Sequence, residues 1–361
     1  MNTAYIQNWQ KIYDRFEEWW RREDVKKPLM HIVAAGKKGN PLPREKPKEA
    51  AILYLDPGYI VNEFRNFCET HYFLSDAFPA VSVNLGPGSM ALYLGSEPEF
   101  AWDTLWYHES LNSPDEFEKL FFDAHNKWWM KHREIIREAV LLADNDFHVC
   151  IPDIVENVDI LSALRGPQNF CFDIIDEGEA VRRGVEKIDS LYFSYYDVFY
   201  EMVKSPEGIS SYTAFNILGR GKVAKLQCDF CAMISPEMFR TFVQPSLKKQ
   251  CRELNHSMYH LDGPDAIKHV DALMEIKELD ALQWTCGAGK PDGASPCWYP
   301  IYDKVRDAGK GLWIKIEDGG PKEWAECVKR LVLRYGKRGM YFLFPIFPDL
   351  PTAEQFSAMF D

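Results

Sequence analysis

The chain has 361 residues, 46% hydrophobic and 27% charged, which suits a water-soluble fold with a large core rather than a disordered or fibrous one. A net charge of −12 disfavours a nucleic-acid or anionic-membrane surface. The apolar stretch MYFLFPIFPDL near the C-terminus is proline-broken and far short of the ~20 residues a membrane span needs.

Nine cysteines at no framework spacing, behind an N-terminus without a signal-peptide core, point to free thiols and a cytoplasmic setting. Aromatic residues make up 14% of the chain, eleven of them tryptophan. They serve either an aromatic-rich core or a pocket for a planar or methylated ligand, and composition alone does not separate the two.

Along the chain, Ile6, Trp9, Tyr13, Phe16 and Trp20 recur at spacings of three and four and predict an amphipathic helix that ends before Lys27-Pro28. PLMHIVAAGKKG reads as a short strand. NPLPREKPK (40–48) reads as a proline-rich linker into a mixed helical stretch reaching about Phe73. Further apolar runs follow: AVSVNL (80–85), FHVCI (147–151), KVAKLQCDF (222–230), SMYHLD (257–262), DALQWTC (280–286), GLWIKIE (311–317) and MYFLFP (340–345).

Helix signals separate most of these runs. Ser113-Pro114-Asp115-Glu116 has capping-box spacing. Val181, Val185, Ile188, Tyr192, Tyr195, Phe199 and Met202 form one apolar stripe. Ser235-Pro236 opens a helix to Leu254 that Pro245 should bend, and Gly309 and Gly336 sit at helix ends.

Eight strands alternating with helices predict an α/β fold, a (β/α)8 TIM barrel with an N-terminal helical extension, as a single domain over 1–361. Residues 1–78 form the extension with the first strand, and 79–361 the main part of the barrel. A doubly wound sheet is the alternative, but NLGPGS and GRGK lack dinucleotide-loop spacing, and no GxxxxGK[ST] loop is present.

In a barrel, catalytic groups sit at the C-terminal ends of strands. Those ends offer Asn84, Asp153 with Glu156, Asp229 with Cys231, His260 with Asp262, Cys286, and Glu317 with Asp318. In SMYHLDGP (257–264), His260 and Asp262 stand two apart on a strand and share a face. Acids, a thiol and an imidazole converging in this way suit metal binding or acid–base chemistry. Each also has a plain structural reading: Asp153 and Asp262 as turn residues, Cys286 as a small buried hydrophobe, and Cys228-Asp-Phe-Cys231 as a coincidental C-x-x-C.

The stretches VNLGPGSMALYLG, DILSALRGPQNF, ISPEMFRTFVQPSLKK after QCDF, YHLDGP and LQWTCGAG, in this order, resemble the uroporphyrinogen decarboxylase superfamily, especially its cobalamin-related methyltransferase branch. The resemblance runs from about residue 80 onward and implies the same barrel. In the decarboxylases an arginine-rich loop grips substrate carboxylates. HIVAAGKKGN carries lysines there and no arginine, which argues against porphyrinogen decarboxylation.

The methyltransferase branch implies zinc on a His-x-Cys pair and a second cysteine near the last strand. Here His260 matches, Asp262 stands at the first cysteine position, and MYFLFPIFPDLP has no cysteine. A carboxylate can replace a thiolate on zinc, so His260, Asp262 and Cys286 are the expected metal ligands, with Glu317 as an alternative to Cys286.

The implied reaction moves a methyl group from a small methylated donor, of methyl ether or methylamine type, to a corrinoid carried by a separate protein. No Asp-x-His-x-x-Gly corrinoid motif occurs in the chain itself. Asp229, Glu317 and Asp153 are the expected acid–base groups; Asn84, Tyr259, Trp284 and Trp313 the expected substrate contacts. An exposed apolar patch at the mouth would dock the partner, and a homodimer is the default assembly. Two alternatives stand beside this reading: a metal-free lyase or decarboxylase of a small acid, and a non-catalytic binding barrel.

Overall fold

The computed structural model describes residues 1, 4–43, 46–212 and 214–360. The expected first helix spans Trp9–Trp20. Asn8 caps it by accepting the Lys11 N–H at 3.1 Å, and its apolar stripe is buried.

Among the described residues thirteen strands follow: β1 (Leu29–Ala35), β2 (His71–Ser75), β3 (Ala80–Val81), β4 (Pro98–Phe100), β5 (Leu105–Tyr107), β6 (His148–Val149), β7 (Ile209–Tyr212), β8 (Ile217–Arg220), β9 (Val223–Gln227), β10 (His256–Asp262), β11 (Ala281–Thr285), β12 (Gly311–Lys315) and β13 (Met340–Leu343). Seven of them form one sheet in the order β2-β1-β13-β12-β11-β10-β9. Every pairing in it is parallel except β1 with β2.

A second parallel pair, β3 with β6, continues through a single bridge from Ile151 to Tyr212 into the β7–β8 hairpin. Among the described residues, no ladder joins β2 to β3 or β8 to β9. The architecture is therefore mixed α/β around a mostly parallel sheet, without a continuous eight-stranded ladder.

Two expectations change for physical reasons. AVSVNL pairs only over Ala80–Val81, because the chain then turns into a loop with positive φ at Gly86 and Gly88. The segment His71–Ser75, read as the tail of a helical stretch, is instead a strand with five rungs to β1. Partner pairing overrides local preference there.

The helix Gly178–Val203 follows its stripe over 26 residues. The helix expected over 235–254 is interrupted where Pro245 lacks an N–H. The backbone widens into a π turn at Phe239–Val243 before resuming at Gln244–Glu253.

The helix Trp9–Trp20 closes the sheet at the N-terminal ends of its strands. The Trp20 indole N–H donates to Leu218 O at 2.8 Å, and its ring stacks on His256 at 4.9 Å. Gly219 permits this approach, since a Cβ there would lie 2.6 Å from the His256 ring. With that end plugged by aromatics, the C-terminal strand ends are left as the open face. No helix among the described residues is long and apolar enough to cross a membrane.

Candidate metal and active site

The site begins with strand register. His260 on β10 stands level with Gln227 on β9 and Gln283 on β11, and Gln283 is level with Trp313 on β12. Because side chains alternate along a strand, these four share one face, and Asp262 joins them two residues further on. Asp229 lies just past β9, in the short helical turn Asp229–Met233. One ligand atom from each of Asp229, His260 and Asp262 falls within 4.8 Å of the other two. Three donors from two adjacent strand ends thus converge at a point open to solvent.

Hydrogen bonds orient each donor. His260 Nδ1 meets Gln283 Oε1, whose amide nitrogen donates to Thr285 Oγ1 at 2.9 Å. With an oxygen accepting from Nδ1, the ring presents the Nε2 lone pair. The Phe215 ring packs 4.9 Å from the imidazole. Burial, and next the Lys225 charge, lowers the His260 pKa from its ordinary value and favours the neutral, ligating form.

Asp229 Oδ2 accepts from Gln227 Nε2 at 3.0 Å, while the Lys225 ammonium donates to Gln227 Oε1. Lys225 is 1% exposed and paired with Asp153 at 2.7 Å, and Asp153 also accepts from Tyr212 OH at 3.2 Å. Burial raises the Asp229 pKa against the pull of His260 and Lys225.

Behind this layer, burial holds Glu156 well above the carboxylate range. One of its oxygens takes the Gln227 N–H at 2.8 Å, and the other has no partner among the described residues. Asp159, raised to about 7 by burial and then by Asp229, accepts the Asp229 and Phe230 N–H groups at 2.8 and 2.9 Å. Val155 and Asn157, either side of Glu156, have φ of 52° and 51°; for a β-branched valine this is strained backbone of the kind that gathers at functional sites.

Beside the donors opens a cavity of about 890 Å³, whose wall includes Asp262, Phe78, Phe215, Trp284, Trp313 and Phe344. Of the expected substrate contacts, Trp284 and Trp313 are on this wall. Trp284 packs edge-on to Trp298, and the Trp313 N–H donates to Phe215 O at 2.9 Å. Tyr259 is 1% exposed and, next to His260 on its strand, points to the opposite face. Asn84 is half-buried in the loop after β3 and does not line the large cavity.

Of the expected acids, Asp229 belongs to the donor cluster and Asp153 is locked in its ion pair. Glu317 stands at the rim, bound to Lys315 at 2.6 Å. Cys286 lines the cavity but lies outside the three-donor cluster, where Asp229 takes the third position instead. Its thiol is pushed up to about 12 by burial and the nearby Asp292. Lys225, Gln227 and Gln283 were missed in the sequence. Their signal was there, since Lys225, Gln227 and Asp229 put a polar residue at every second position of an otherwise apolar run.

No protein-family model matches the chain, and no curated protein does. Among solved structures, it is similar to a methyltransferase from Methanosarcina mazei, with a TM-score of 0.64 and 14% sequence identity, over 97% of this chain and 98% of that one. At that identity the likeness establishes a shared fold.

Proposed function

We propose that the chain is a methyltransferase on a (β/α)8-type barrel. It takes a methyl group from a small methylated donor in the aromatic cavity and passes it to a corrinoid held by a separate protein. The observation that carries this reading is the convergence of Asp229, His260 and Asp262 at the strand ends beside that cavity. The fold shared with a solved methyltransferase adds support.

The donor set fits a divalent cation such as zinc. Zinc takes imidazole and carboxylate ligands, and three protein ligands leave an open position, so one imidazole and two carboxylates suit it as a set harder than the thiolates of the resembled family. Asp229, His260 and Asp262 would hold it, and a bound cation would act as a Lewis acid toward the donor's heteroatom.

The chain's own residues do the rest. Trp313 and Phe215 wall the cavity that takes the donor, and the Asp159 carboxyl, raised to about 7, can supply a proton to the leaving group. In balance, the carbon–oxygen or carbon–nitrogen bond of the donor breaks, the methyl group goes to the corrinoid, and an alcohol, phenol or amine leaves.

The test is metal content together with partner dependence. Protein purified without chelator is expected to carry about one zinc per chain, which His260→Ala and Asp229→Ala each abolish. Demethylation of a methyl ether or methylamine is expected only when a corrinoid protein is added. Turnover of a small acid by the chain alone, with no metal, would replace this reading with a lyase. The buried acids Glu156 and Asp159, both raised by burial, favour that second reading.

A further inference from the structure

Resting on the cation site above, we infer that Gln227 and Gln283 are positioning residues that aim Asp229 and His260 at the cation in opposite chemical senses, one by donating and the other by accepting. The two glutamines flank His260 at the same level of the sheet, so the row Gln227–His260–Gln283 crosses three adjacent strands.

Gln227 is held by both ends. Its oxygen takes the Lys225 ammonium and its nitrogen gives to Asp229 Oδ2 at 3.0 Å. Turning the amide over would set its NH2 against an ammonium and its oxygen against a carboxylate, so Lys225 fixes the orientation. Lys225 is itself anchored by Asp153, which Tyr212 holds in turn. A buried chain from Tyr212 to Gln227 thus occupies one oxygen of Asp229 and leaves the other for a metal.

Gln283 works the other way. Its oxygen accepts from His260 Nδ1 and its nitrogen is tied to Thr285 at 2.9 Å. Outer hydrogen bonds of this kind set ligand tautomer and aim, and their loss costs roughly 10–100-fold in metal affinity.

The opposite senses give a test that a merely structural role would not pass. Co²⁺ is titrated into the full-length, metal-stripped protein, followed by its visible absorption, with thermal unfolding of each metal-free variant alongside. Gln283→Glu keeps an acceptor on His260 and is expected to bind Co²⁺ as tightly as the parent or more so. Gln227→Glu removes the donor and sets a second carboxylate against Asp229, so the same substitution there is expected to weaken binding by roughly 10–100-fold. Gln283→Met and Gln227→Met, which keep the volume and lose the hydrogen bonds, are both expected to weaken binding and alter the absorption band.

All four variants binding within twofold of the parent, or Gln227→Glu and Gln283→Glu changing alike, overturns the inference while leaving the cation site in place. A parent that takes up no Co²⁺ removes the cation site itself, and this inference with it.

Discussion

The Lys225–Asp153 pair sets the conditions at the residue scale. An ammonium 1% exposed is tolerated only because Asp153 lies 2.7 Å away and Gln227 adds a further acceptor. Removing one partner strands the other, so Lys225→Met is expected to destabilise the fold by about 3–5 kcal/mol. Lys225→Met combined with Asp153→Leu should recover most of that loss, because no uncompensated charge stays behind. Urea unfolding of the two variants decides this; equal losses in single and double variants would mean the pair is not the source. His260 and Asp262 were legible as a pair from their i, i+2 spacing alone. Asp229 was legible only as a strand-end acid, because its approach to His260 depends on β9 lying beside β10.

The same dependence governs whole elements. The first helix was readable from its stripe, and so was the 26-residue helix Gly178–Val203, since a 3.6-residue period persists whatever the helix packs on. The strands β2, β7 and β8 were not. β2 follows a helix without a break, and β7 and β8 (ISSY and ILGR) are too short and mixed to show alternation, so their pairing partners make them strands.

Where the first helix meets β8, contact is close enough to test. Trp20 is 2% exposed, and Trp20→Ala is expected to cost about 3–5 kcal/mol through the cavity it leaves. Gly219→Ala, on the opposing strand, should cost about 1–3 kcal/mol by overpacking against His256. Both readouts are shifts in unfolding midpoint. Metal content is expected to be unchanged in either variant, because this plug lies at the end of the sheet away from the site.

For the whole molecule, three buried histidines tie stability to pH. Burial lowers His31, His132 and His148 to about 4, against an ordinary value near 6.5. The unfolded chain therefore binds protons that the native chain refuses. Their contribution to stability is full above about pH 6.5 and is lost as pH drops toward 4, by up to roughly 3 kcal/mol per histidine at the lower limit.

Asp189, raised to about 6 by burial, opposes this trend by favouring its protonated form in the fold, as do the raised acids Asp159 and Glu156. The histidine contribution is isolated with His148→Phe, which removes one such site beside Tyr13. Its loss of stability between pH 7.5 and 5 should be smaller than the parent's by about 2 kcal/mol. Identical losses would show that His148 is not part of the acid response.

The sequence by itself determined the class of the fold, most of the parallel strands, the long amphipathic helices and the His260–Asp262 pair. Each of these is written in a local period or spacing. Only the tertiary structure decided that the hydrogen-bonded ladder breaks after β2 and before β9, that Asp229 rather than Cys286 joins His260 and Asp262, and that Lys225 anchors Gln227. Those facts depend on which strands lie side by side, and on which residues then share a level across them. Adjacency of that kind follows from long-range packing, which no local stretch of sequence contains.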